Sequence, residues 1–194
     1  MVARRALRTP FGHGSVASLY PSRARRNRYF VQGTIVQINI SPGGLPKRPV
    51  SGGFIASLGV EGDRQAHPGI HGGARQAVLL IAAEVVEELQ RRGYPVAFGS
   101  LGENLTTRGI AVRDLRIGDR LRAGGALLEI TKPRGPCSAL DVYGPSIKQE
   151  IYDSRVKARD HTSSFWGMSG FYLSVVEPGP VCPGDIIAVV AQLA

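Results

Sequence analysis

Residues 31–40 (VQGTIVQINI) alternate β-branched and polar side chains, and that period of two predicts a strand with Gly33 at a bulge. Ser41-Pro42-Gly43-Gly44 predicts a turn, and Val50–Val60, where β-formers mix with glycines, holds another strand. Residues 59–73 (GVEGDRQAHPGIHGG) carry five glycines and a proline, which predicts a long loop. Loops of that length in a compact domain usually serve function. The apolar run Ala77–Ile81 leads into the clearest helical pattern of the chain, Ala82–Arg92. There Ala82, Val85, Val86 and Leu89 share one face, and Glu87–Arg91 and Glu88–Arg92 stand at the favourable i, i+4 spacing. Gly93 and Pro95 end it.

A second glycine-rich loop, Phe98–Thr107, runs into a strand at Asn104–Thr107. Leu115–Thr131 reads as a hairpin turning at Gly124-Gly125. Pro133–Gly144 is a third loop, Pro145–Ala158 a second helix with Ile147 and Ile151 on one face, and Phe171–Val176 and Asp185–Val190 are closing strands. About seven to nine short strands with two helices predict a mainly β protein, a mostly antiparallel barrel with helices on its loops.

Composition narrows the picture. The chain has 194 residues, 43% hydrophobic and 20% charged, which suits one domain with a real core. The 25 glycines and 13 prolines count against a helical bundle or coiled coil and favour a turn-rich β architecture. No stretch reaches the roughly eighteen apolar residues of a membrane span. Two cysteines, Cys137 and Cys182, are too few for a disulfide scaffold, and a reduced, cytoplasmic setting is expected.

The net charge of +9 is unevenly placed. Residues 1–30 hold seven arginines and no acid, so the body carries only +2. This stretch reads as a polyanion-binding arm, a targeting peptide, or a flexible leader without function that includes a start codon set too far upstream. The last is favoured, because the segment lacks periodicity, aromatic interleaving and the apolar core of a secretory signal. The expected division is a basic tail over 1–30 and a barrel domain over 31–194.

Candidate chemistry centres on Cys137, in Lys132-Pro133-Arg134-Gly135-Pro136-Cys137-Ser138. Directly after a strand, it belongs at a sheet edge or barrel mouth. Arg134 and Lys132 would favour its thiolate, a nucleophile and soft-metal ligand. A buried, inert thiol is the alternative. Cys182, in a plain turn, reads as structural. His67 and His71 stand four apart, but Pro68 and Gly69 between them deny a helix, and nothing supports a zinc site. His71-Gly72-Gly73, in the loop with Asp63 and Arg64, would let backbone N–H groups approach an anion; a tight turn is the alternative. Gly102-Glu103-Asn104 offers a carboxylate and an amide to a heterocycle, or merely caps a turn.

In order along the chain, these segments resemble the MOSC domain, named for the C-terminal region of molybdenum-cofactor sulfurases. The resemblance rests on Gly62-Asp63-Arg64-Gln65-Ala66 with His71-Gly72-Gly73, on Phe98-Gly99 through Gly102-Glu103-Asn104-Leu105, and on Ile117-Gly118-Asp119 and Leu128-Glu129-Ile130. It continues through Pro133-Arg134-Gly135-Pro136-Cys137, Ser169-Gly170-Phe171-Tyr172-Leu173 and Gly184-Asp185, over roughly residues 31–190.

The resemblance implies a β-barrel that binds a molybdopterin-type molybdenum cofactor. Cys137 would be its molybdenum ligand, or would carry a persulfide. It implies Arg64 and Arg134 at the cofactor phosphate, and His71, Gly72, Gly73 and Asn104 at the pterin or substrate. Related stand-alone members reduce N-hydroxylated and similar N-oxygenated compounds and need an electron-donor protein. A sulfur carrier would need a cysteine desulfurase partner instead. The pyridoxal-phosphate domain of fused sulfurases has no room in 194 residues, and no cysteine cluster for an iron–sulfur centre is present. A third reading, a non-enzymatic barrel binding nucleic acid through residues 1–30, is disfavoured by the +2 body. The cofactor readings require the Asp63–Gly73 loop, the Gly99–Asn104 loop and Cys137 to converge on one cleft.

Deleting residues 1–28 should lower the isoelectric point and leave the melting temperature nearly unchanged, read by isoelectric focusing and thermal denaturation. A large loss of stability would show that the tail anchors on the barrel.

Overall fold

The computed structural model describes residues 31–64 and 72–191. Seven strands close into a barrel around a strand that pairs on both edges. This is β1 (Gln32–Ile40), whose residues 34–38 pair with β6 (Leu105–Arg108) and whose residues 32–34 pair with β11 (Ile186–Ala191). The circuit continues through β7 (Arg120–Ala123), β8 (Ala126–Pro133), β9 (Phe171–Glu177) and β5 (Val78–Ala82) back to β6. A separate small sheet holds β3 (Gly53–Ala56) and β4 (Gly59–Val60) beside β10 (Gly179–Val181). The mainly β, mostly antiparallel barrel expected from the sequence is the fold observed.

Beyond Thr34 the edge of β1 that faced β11 becomes available. From Ile38 to Ile40 it takes β2 (Arg48–Val50) instead. This exchange delivers Lys47, the residue before β2, to the loops above β6, where its N–H donates to the Gly99 carbonyl at 3.0 Å.

β5 and β6 run parallel, which requires a crossover, and helix α1 (Ala83–Arg91) supplies it. All five residues of β5 are buried, as expected of a strand with the barrel core on one face and a helix on the other. Val85, Val86 and Leu89 of α1 are buried, matching their 3.6-residue spacing. Ala82 belongs to the strand, in extended conformation. The Glu88–Arg92 ion pair forms at 2.8 Å, but Glu87 turns across to Arg108 of β6 and Arg91 turns to Glu88.

Three further expectations are corrected. Gly33 is not the bulge; the register shifts between Ile35 and Gln37. Gly33 is needed for close approach, since a Cβ there would stand 2.3 Å from the Arg108 carbonyl oxygen. The strand expected within Val50–Val60 is β3, but the supposed 59–73 loop starts later, because Gly59–Val60 pairs back on β3 as a hairpin. The supposed helix 145–158 breaks into α2 (Ile147–Ile151) and α3 (Ser154–Lys157). Tyr152 is extended there, and the Asp153 carboxylate accepts from Val156 N–H at 2.8 Å, starting the second piece afresh.

The core is continuous, and Trp166 packs edge-on to Phe171 at 5.5 Å while donating its indole N–H to the Leu115 carbonyl at 2.8 Å. No described helix is long and apolar enough to cross a membrane.

Gly170, just before β9, has φ +84, and a Cβ would lie 2.3 Å from the Leu80 carbonyl oxygen. Gly184 has φ +97 with nothing within 4 Å. Thermal denaturation should show Gly170→Ala losing about 2 kcal/mol or more, against about 1 kcal/mol for Gly184→Ala. Equal losses would contradict the close β5–β9 approach.

Candidate functional site

The site is built where β8 ends. Lys132 pairs with Tyr172 and Pro133 with Phe171, and the chain then stays clamped to the β9 side for one more residue. Arg134 N–H donates to the Gly170 carbonyl at 2.9 Å, and Ser169 Oγ donates to the Arg134 carbonyl at 2.6 Å. With its backbone fixed, Arg134 turns its side chain inward, to 4% exposure. Nη2 donates to the Leu101 carbonyl at 3.0 Å; Nη1 is buried without a partner among the described residues. Burial pulls the guanidinium pKa below its ordinary value, and Tyr172, Cys137 and Glu103 act in the opposite direction.

Cys137 is half-buried and extended, and a 3₁₀ turn over Ser138–Tyr143 starts from it. Leu140 anchors that turn, fully buried, with its N–H on the Cys137 carbonyl at 3.2 Å. Tyr172 stands beside this group, its hydroxyl pKa pushed up by burial and drawn back by Arg134. Lys132 Nζ lies 5.4 Å from the centre of the Tyr172 ring, a cation–π contact.

The Gly99–Asn104 loop faces this corner. Glu103 is fully buried; its Oε1 accepts from Gly99 N–H at 2.6 Å and Thr106 Oγ1 at 3.2 Å, and Oε2 has no partner among the described residues. Burial pushes its carboxyl upward in pKa, opposed by those hydrogen bonds and by Arg134. Asn104 is spent on the fold. Its Oδ1 accepts from Leu79 N–H at 3.1 Å, and Nδ2 donates to the Asn39 carbonyl at 3.2 Å and to Asp63 at 2.8 Å. At 3% exposure, neither amide hydrogen is left for a pterin or a substrate, so its place is to hold the loop.

Asp63 gathers the third segment. Besides Asn104, its buried carboxylate accepts from Ser41 N–H at 2.9 Å and forms an ion pair with Lys47. Burial lowers the Lys47 pKa, and Asp63 restores part of the loss. Arg64, next in sequence, is exposed. Gly72 and Gly73 lead into a 3₁₀ turn, Ala74–Gln76; Gly73 is exposed, with φ +91 and open space where a Cβ would stand. Thr131 Oγ1 donates to the Arg75 carbonyl at 2.6 Å, which ties this turn to β8 two residues before Pro133. His71 and His67 lie outside the described residues.

Three links therefore join the predicted segments: Asp63 to Asn104, Leu101 to Arg134, and Arg75 to Thr131. Cys182 lies elsewhere, exposed in the turn after β10, with its N–H on Asp185 at 2.7 Å. A cleft of about 670 Å³ is lined by Lys47, Phe98, Ser100 and Tyr143 among others, and its lining does not include Cys137 or Arg134. Lys47 and Tyr172 were not singled out from the sequence. Lys47 carries no local signal, since its burial depends on Asp63 sixteen residues away. Tyr172 stood inside a recognised segment, and only its pairing with Lys132 places it by the cysteine.

Residues 67–188 match the MOSC domain. The protein YflK of Bacillus subtilis is 34% identical over 145 residues, covering 73% of this chain and 60% of that protein. The protein YiiM of Escherichia coli is 29% identical over 162 residues, covering 79% and 66%. The chain thus spans somewhat less than two thirds of these two relatives. A protein named Reductase from Gibberella moniliformis is 29% identical over 147 residues, which are 24% of its length. Among solved structures, YiiM of Geobacillus stearothermophilus superposes with a TM-score of 0.63 at 26% identity, covering 82% of this chain and 76% of that one. On the match over residues 67–188, carried by the same barrel, the chain belongs to the MOSC domain family.

Proposed function

We propose that this barrel holds a molybdenum cofactor of the molybdopterin type, with the Cys137 thiolate as the protein ligand to molybdenum, and reduces N-hydroxylated and related N-oxygenated small molecules. The observation that carries the reading is the Arg134 guanidinium. A buried cation with one nitrogen unpartnered among the described residues, beside a half-buried thiol, fits an anionic group seated next to that sulfur. The relative named Reductase favours an enzymatic reading.

The cofactor, when bound, supplies the two-electron redox chemistry. The chain's own residues bind and orient. Cys137 offers a soft thiolate from a backbone fixed by the Leu140 turn. Arg134, sealed in beside it, stabilises negative charge at the sulfur end, which leaves the outlying phosphate to the exposed Arg64. Gly73 has the open space that lets backbone approach a flat ring. Tyr172 and Lys132 wall the corner on the β8–β9 side. An electron-donor protein completes the cycle, in the cytoplasm.

Protein from a host that makes the cofactor should contain molybdenum by elemental analysis. Cys137→Ser should lose it, and lose turnover, while circular dichroism stays unchanged, because a hydroxyl is a poor ligand for a soft metal. Cys182→Ser should keep both. Full molybdenum and turnover in Cys137→Ser would contradict the assignment. Labile sulfur on Cys137 without molybdenum would favour a persulfide carrier instead.

A further inference from the structure

Two buried polar atoms on facing segments have no partner among the described residues, Glu103 Oε2 and Arg134 Nη1. Their groups are electrostatically coupled, and the Arg134–Leu101 bond ties the two segments together. Glu103 Oε1 is already occupied by Gly99 and Thr106, so only its second oxygen is open. Lys47 lines the open cleft and donates its N–H to the Gly99 carbonyl, while Gly99 N–H donates to Glu103. Arg134 interacts with Cys137 and Tyr172. A file of ionisable groups thus runs from the cleft to the cysteine: Lys47 backed by Asp63, then Glu103, then Arg134 with Tyr172. Nη1 carries two hydrogens, so one internal water placed between it and Glu103 Oε2 leaves the other for the anionic group beside the sulfur.

Resting on the reductase reading, we propose that Glu103 is the proton-relay residue of the Cys137 site. It keeps a proton on Oε2, passes it toward the site through a water shared with Arg134 Nη1, and regains one from the cleft past Lys47. The reaction needs such a supply. A hydroxylamine R–NH–OH takes up two electrons and two protons; its N–O bond breaks, nitrogen gains one proton, and the oxygen leaves as water. The electrons come from the electron-donor protein. A carboxyl held close to the site supplies a proton from within the chain. Loss of solvent around Glu103 favours its neutral, proton-carrying form, against the nearby positive charges of Arg134 and Lys47.

Infrared spectroscopy of the full chain without cofactor, at neutral pH, should show a protonated-carboxyl band that shifts in heavy water and disappears in Glu103→Gln. If that variant unfolds, Glu103→Asp should move the band. Absence of any Glu103-dependent band overturns the relay. In cofactor-loaded protein reducing an N-hydroxylated base, Glu103→Gln should lower kcat roughly ten- to hundredfold with KM little changed, and Glu103→Asp should restore part of it. Wild-type kcat in Glu103→Gln overturns the relay alone. A loaded wild type that reduces no N-hydroxylated compound overturns the reductase reading and the relay with it.

Discussion

Everything at the proposed site depends on one buried cation. Removing a guanidinium from water costs on the order of several kcal/mol unless its charge and hydrogens are met inside. Arg134 meets them in part, with the Leu101 carbonyl and the nearby Tyr172 and Cys137 groups. The end of β8, the Gly99–Asn104 loop and the start of β9 must therefore lie within reach of one side chain. The backbone clamps to Gly170 and Ser169 fix the point from which that side chain starts. Cys137, three residues on, inherits its place from this constraint.

A second buried pair does the same on the opposite flank. Lys47 and Asp63 neutralise each other under the loops, and Asn104 adds its amide to the Asp63 carboxylate. That pair exists because β1 exchanges β11 for β2 along one edge, which brings Lys47 over β6. The barrel's closure and the loop cluster are thus one problem. The strand that closes the barrel also delivers the cation that holds the loops.

Much of this was legible in the chain. The 3.6-residue period found α1, the alternation found β1, and the double glycine found the β7–β8 turn. The strand-then-proline context placed Cys137 directly beyond a sheet edge. What local pattern could not carry was the destination of polar side chains. Asn104 looked like a ligand contact because an amide in a glycine-bounded loop suits one, yet it is consumed by Leu79, Asn39 and Asp63. Arg134, which the resemblance implies at a cofactor phosphate, has its side chain inside, held by the Leu101 carbonyl. Asp153 broke a helix that apolar spacing alone joined together. What was hidden has the same source each time: a hydrogen bond whose other half lies far away in sequence or was not weighed as a cap.

The central claim is that a thiolate held beside a buried guanidinium is what this barrel offers a metal. X-ray absorption at the molybdenum edge of the loaded protein tests it most directly. The account predicts one sulfur neighbour beyond those of the cofactor itself, present in the wild type and lost in Cys137→Ser. An unchanged sulfur shell in that variant would contradict it.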